Sequence, residues 1–237
     1  STTTMNLTRD TTLKLNFAPT TFYDGQAFMV RKKDGIKALS DLNGATIFVQ
    51  QGTTTEVNLA DYFRSKSMKF KTVVYESSDE LTQAFVKGRC DSLTADSSSL
   101  AAERTKIKNF NDYIILNEVI SKEPLGASVR HGDDAWFDIV KYSIYALFEA
   151  EDLGVNKANI SAMEKSTDPR VKRFLGTLPG NGEAMGLREE WAANIVKILG
   201  NYEEIYEKNV GKDSALKIKR GLNSLWKNGG LLYAPQF

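Results

Sequence analysis

Few folds can hold a β-branched apolar run that stops at a glycine and resumes as a threonine-led amphipathic segment. Residues 45–56 are such a run: Ala45-Thr46-Ile47-Phe48-Val49-Gln50-Gln51-Gly52-Thr53-Thr54-Thr55-Glu56. The pattern predicts strand, tight turn and helix, with Val57, Ala60, Tyr62 and Phe63 on one side of the helix. Thr53 and Glu56 have the spacing of a capping box, which marks the helix start. The first amides of such a helix lack partners within it and lie at the positive end of its dipole, an arrangement suited to a carboxylate or phosphate. The alternative is that Thr53 caps its own helix and binds nothing.

The same alternation runs through Phe28 to Val129. Strands are expected at Phe28 to Val30, at 45–50, at Phe70 to Tyr75, at Cys90 to Ala95, at Ile114 to Leu116 and at Leu125 to Val129. Helices are expected at 54–66 and from Ser77 to a stop at Gly88, with a third capped by Ser97-Ser98-Ser99. Such an order implies an α/β fold on a mainly parallel sheet, with ligands beyond the carboxyl ends of the strands. Thr54 and Asp96 each follow such an end, so an amide cluster and an aspartate could face one crevice and hold a zwitterion. Asp96 could equally cap the next helix.

Before residue 30, Leu13, Leu15 and Phe17 alternate ahead of Pro19, which predicts a short strand. Arg9 is the side chain type that grips a carboxylate with two parallel bonds, and Thr4 is near enough in sequence to add a donor; a solvated Arg9-Asp10 surface pair is the competing role. Beyond Arg130 the pattern turns helical, with helices expected over 135–153, 169–175, 187–199, 202–208 and 215–226.

Composition narrows the function classes. A chain of 237 residues with 41% hydrophobic and 26% charged residues buries a core, and a net charge of +1 supplies no bulk field toward nucleic acid or a membrane surface. The opening Ser1 to Met5 shows neither a basic leader nor an apolar signal core. One cysteine, Cys90, and one histidine, His131, exclude an internal disulfide and argue against a Cys/His metal site or nucleophile pair. No metal and no cofactor are expected.

The chain resembles a known family on stretches that run its whole length in the family's order. They include Thr8-Arg9-Asp10, Phe22-Tyr23-Asp24-Gly25-Gln26, Leu42-Asn43-Gly44-Ala45-Thr46, Gln51-Gly52-Thr53-Thr54-Thr55-Glu56, Gly88-Arg89-Cys90-Asp91, Ile120-Ser121-Lys122-Glu123-Pro124-Leu125-Gly126, Val129-Arg130-His131-Gly132-Asp133-Asp134 and Gly230-Leu231-Leu232-Tyr233-Ala234-Pro235. On these it is similar to the general L-amino-acid-binding proteins of bacterial ABC transporters, within the polar-amino-acid class of type II periplasmic binding proteins. The resemblance implies that Arg9 and Thr4 hold a ligand α-carboxylate, that Thr54 and its amides contact the same group, and that Asp96 binds the α-ammonium, with Gly52 and Thr53 counted among the ligand-binding residues. It also implies a periplasmic location and an ABC transporter permease as partner.

Family members carry about 90 further residues ahead of the position of Ser1. The expected organisation is therefore 1–26 as a remnant of lobe 1 and the hinge, 27–127 as a complete α/β lobe 2, and 128–237 as the helical C-terminal part of a truncated lobe 1. Trp136, Ile139, Tyr142, Phe148, Trp191, Ile195 and Ile198 then need another cover, which predicts a homodimer or higher homo-oligomer. Two other functions stay open: a hydrolase-type enzyme recruited on a truncated binding-protein scaffold, with Asp96, His131 and Ser97 to Ser99 as its candidate groups, and a folded, ligand-free fragment.

Overall fold

The computed structural model describes residues 2–237. The elements in chain order are β1 (Thr2–Thr4), α1 (Leu7–Thr11), β2 (Leu15–Asp24), β3 (Gln26–Arg31), β4 (Thr46–Gln50), α2 (Thr54–Ser65), β5 (Lys71–Tyr75), α3 (Ser78–Val86), β6 (Ser92–Asp96), α4 (Ser97–Lys106), β7 (Tyr113–Ile115) and β8 (Glu123–Arg130). Helices α5 (Asp134–Asp152), α6 (Ile160–Met163), α7 (Pro169–Leu175), α8 (Asn181–Ala184), α9 (Trp191–Leu199) and α10 (Tyr202–Asn209) follow. The chain divides into two compact units, one of Ser1–Tyr23 with Pro124–Phe237 and one of Asp24–Glu123.

The Asp24–Glu123 unit is an α/β sandwich on a five-stranded sheet in the order β5-β4-β6-β3-β7. Strand β4 pairs parallel with β5 and β6, whereas β3 pairs antiparallel with β6 and β7. The sheet is therefore mixed where a mainly parallel one was expected. The helix-linked strands β4, β5, β6 and β7 share one direction, and β3 alone is inserted against it. Both faces are covered. Phe28, Val30, Ile47 and Val49 pack with Leu59 and Phe63 of α2, while Ala27, Met29, Phe48 and Leu93 pack with Leu81 and Phe85 of α3 and Leu100 of α4. Because successive strand side chains alternate faces, the two-sided cover explains why β3 and β4 read as continuous apolar runs.

The other unit holds a three-stranded sheet, β1-β8-β2, and the helices after residue 130. Thr3 pairs with Gly126 in the antiparallel β1–β8 ladder, and a Cβ at Gly126 would displace the end of the Met5 side chain and crowd the Ala18 and Pro19 carbonyl oxygens. Strand β2 continues through Pro19 instead of stopping before it. As an edge strand it tolerates a residue with no N–H to donate. The segment 125–129, expected to continue the large sheet, belongs to this small one.

Among the helices, α7 opens with Pro169 at its first position and closes at Gly176 in the left-handed region, as its sequence demands. Helix α9 starts at Trp191, four residues later than expected. The helix expected over 215–226 is not formed. Lys217 has φ of +55°, the Ile218 amide donates to the Val210 carbonyl, and only short 3-10 turns occur, at Gly221–Asn223 and Trp226–Asn228. Two apolar clusters build the unit, one around Phe174, Trp191 and Val196 and one around Phe148, Tyr202 and Tyr206. Phe148 and Trp191, expected to need a cover from outside, are therefore buried within their own unit, whereas Trp136 and Ile198 are exposed.

Candidate functional site

The turn after β4 is built by its own residues. Gly52 takes φ of +70°, a region that L side chains disfavour, and lets the chain reverse into α2. The Thr53 hydroxyl donates to the Gln50 carbonyl at 2.8 Å and accepts the Glu56 amide at 3.4 Å, while the Gly52 amide donates to Glu56 Oε2 at 3.0 Å. The Thr53 hydroxyl caps the helix as its spacing predicts, but the Glu56 carboxylate takes the Gly52 amide and not the Thr53 amide that a capping box would use. Geometry leaves the amides of Thr54 and Thr55, the first two of a 12-residue helix, without intrahelical acceptors. The Thr54 side chain is exposed beside them.

Asp96 ends β6 and occupies the position before α4, yet its side chain makes no capping hydrogen bond. The start of α4 is held instead by Asp24, which accepts from the amide and the hydroxyl of Ser98, and by the Gly25 carbonyl, which accepts from the Ser97 amide at 2.9 Å. A cavity of about 310 Å³ lies at this end of the sheet, lined by Gln50, Thr55, Thr94, Asp96, Ser99 and Glu103 among others. Its wall therefore joins the first turn of α2 to Asp96. Glu103 escapes sequence reasoning because it lies inside a helix with no motif. It accepts from the Thr82 hydroxyl at 3.2 Å and pairs with Lys106 at 2.8 Å.

Gln26 is a second residue the sequence does not single out by its chemistry. It heads an apolar strand, is fully buried, and sits opposite Asp96 in the β3–β6 ladder. Its Nε2 donates to the Thr55 carbonyl and to Thr94 Oγ1, both at 3.0 Å.

In the other unit the structure brings Thr4 and Arg9 together. Asn6 caps α1 by accepting the Arg9 amide at 2.9 Å, and Arg9 Nη1 donates to the Thr4 carbonyl at 2.6 Å. His131 Nε2 lies 3.7 Å from Asp10 Oδ1, on the surface. A larger cavity of about 730 Å³ in this unit is walled by Tyr142, Trp191 and Phe237 and contains none of the expected site residues. Among the described residues no group of three or more His, Cys, Asp and Glu side chains is placed to hold a metal ion. None of the described helices is long and apolar enough to cross a membrane.

The chain has relatives among known proteins. The family described as NMT1/THI5 like matches residues 18–117. The chain is 52% identical over 235 residues to the general L-amino acid-binding periplasmic protein of Rhizobium johnstonii, covering 98% of this chain and 69% of that one. It is 46% identical to the glutamate/glutamine/aspartate/asparagine-binding protein of Rhodobacter capsulatus, over 99% of this chain and 70% of that one. Among solved structures, a periplasmic binding protein of an ABC transporter from Brucella ovis with glutathione bound superposes with a TM-score of 0.96 at 47% identity, covering 99% of this chain and 74% of that one. The chain thus spans about 70% of the length of the curated relatives. It belongs to the amino-acid-binding periplasmic proteins of ABC transporters.

Proposed function

We propose that the chain holds free L-amino acids by their backbone ends, non-covalently, at the cavity beside α2. In this reading the Thr54 and Thr55 amides and the Thr54 hydroxyl take the α-carboxylate, Gly52 and Thr53 shape the turn that presents them, and Asp96 takes the α-ammonium. The observation that carries it is the wall shared by the α2 first turn and Asp96. Positive helix end and carboxylate supply opposite charges to a ligand that carries both. Arg9, tied to the Thr4 carbonyl, is the carboxylate-binding group we propose within its own unit.

The proposal extends to a finer context: delivery to an ABC transporter permease, in the periplasm, with residues 27–127 as lobe 2 and 1–26 with 128–237 as parts of lobe 1. Exposed Trp136 and Ile198 support self-association through the helical segment. Calorimetric titration with the twenty amino acids, run beside an esterase and amidase screen, tests the reading. Binding without turnover is the expected result, and turnover without binding would favour a recruited hydrolase.

A further inference from the structure

We infer that Gln26 is a positioning residue that fixes the distance between the two halves of the zwitterion site, an assignment that rests on the amino-acid reading of that site. The two Nε2 bonds tie β6, at Thr94, to the first turn of α2, at Thr55. Those are the two elements that carry the groups proposed to bind the ligand's ammonium and carboxylate. The amide cannot serve equally well when flipped. Thr94 has one hydroxyl proton, and it is donated to the Ala27 carbonyl at 2.7 Å, so Thr94 Oγ1 can only accept from Gln26. The Thr55 partner is a carbonyl, which also only accepts. Both neighbours therefore demand the nitrogen.

The cost of that orientation falls on the other amide atom. Gln26 Oε1 is buried without a donor among the described residues, although an unpaired buried acceptor destabilises a fold and an apolar side chain would avoid it. Phe28 and Val30, which alternate with Gln26 along β3, show what this face otherwise holds. A side chain retained there as an amide is explained by what its nitrogen joins.

Spacing matters only to a ligand that engages both halves. Once one end is bound, the other half acts at an effective concentration set by geometry, and loosening the tie lowers it. A ligand carrying only one charged group does not sense the change.

The test uses the 237-residue chain and three probes: L-glutamine, 4-aminobutanamide, which lacks the α-carboxylate, and glutaramic acid, which lacks the α-amino group. Gln26→Met should weaken L-glutamine by about tenfold while each one-ended analogue changes by less than about twofold. Thr94→Val, which removes one anchor, should shift the ratio the same way, and Thr94→Ser, which keeps the hydroxyl, should restore it. A loss of equal size for all three probes would mean a purely structural role and overturn the assignment, as would unchanged L-glutamine affinity in both Gln26→Met and Thr94→Val. A parent chain that binds none of the twenty amino acids would instead bring down the underlying site reading together with this one.

Discussion

The Arg220 guanidinium meets the Glu151 carboxylate in a two-pronged pair, Nη1 to Oε1 at 2.8 Å and Nη2 to Oε2 at 3.0 Å, with both side chains largely withdrawn from solvent. Arg220 also donates to the Asn223 carbonyl and lies over the rings of Tyr202 and Tyr206, so it fastens the irregular segment after α10 to α5. Removing one partner of a buried pair costs about 3–5 kcal/mol because the other charge stays behind unpaired.

Arg220→Met should therefore be strongly destabilising, and more so at pH 8 than at pH 5. Burial raises the Glu151 carboxyl above its ordinary value of 4.5, and Arg220 is the main influence holding it down. An acid raised in the folded state binds more protons folded than unfolded between the two values, so stability falls as pH rises through that window. Without Arg220 the window extends upward. Urea unfolding at both pH values checks this, and equal losses at pH 5 and pH 8 would show that Arg220 does not set the Glu151 proton.

Asp96→Ala should abolish or greatly weaken amino-acid binding, since losing one charged partner in a desolvated site costs about 2–5 kcal/mol. Arg9→Ala should cost less, because Arg9 sits on a five-residue helix that buries none of its side chains. Calorimetry on both variants ranks them. An unchanged affinity in Asp96→Ala removes Asp96 from the site.

The strand–turn–helix at 46–65 is legible in the sequence because three local signals agree there: the β-branched run, the glycine and the capping spacing. The failed helix over 215–226 shows the limit of such signals. Apolar residues at helical spacing also occur in a segment pinned by single contacts, here the Ile218 amide on Val210 and Arg220 on Glu151, and no periodicity encodes those partners. The direction of β3 is hidden for a related reason: an apolar run records burial on both faces but not which way its neighbours point. At the site, residue types such as Asp96 and Thr54 stand out by charge or position, whereas Gln26 and Glu103 gain their meaning from cross-strand and cross-helix partners.

Cys90 should resist thiol reagents in the native chain. It is almost fully buried in the core between the sheet and α3, and burial pushes its thiol up to about 12 despite the opposing influence of Arg31. At pH 8 about one thiol in ten thousand is then ionised. Labelling should be slow in buffer and prompt in denaturant; prompt labelling of the native protein would reveal local opening of that core.

Self-association should run through the helical segment. Trp136 is 52% exposed, and Ile198 and Leu199 at the end of α9 are 70% and 58% exposed. Light scattering coupled to size exclusion should show a dimer or larger closed assembly that Trp136→Glu or Ile198→Glu weakens. A stable monomer of 26.4 kDa would mean that these side chains remain singly solvated.

Neighbouring threonines in the α2 turn should separate stability from binding. Thr53 is engaged on both sides, donating to the Gln50 carbonyl and accepting the Glu56 amide, so Thr53→Ala removes a cap and should cost about 1 kcal/mol of stability. Thr54 is exposed at the first helical position and no hydrogen bond of its hydroxyl contributes to that turn, so Thr54→Ala should leave the melting temperature nearly unchanged. Its effect belongs to the ligand: one hydrogen bond to a charged carboxylate is worth about 1.5–3 kcal/mol, a loss of roughly tenfold to a hundredfold in affinity. Thermal melts and calorimetry on the two variants make the comparison. If Thr54→Ala lowers stability as much as Thr53→Ala and leaves affinity intact, the α2 turn caps its helix and does not receive the carboxylate.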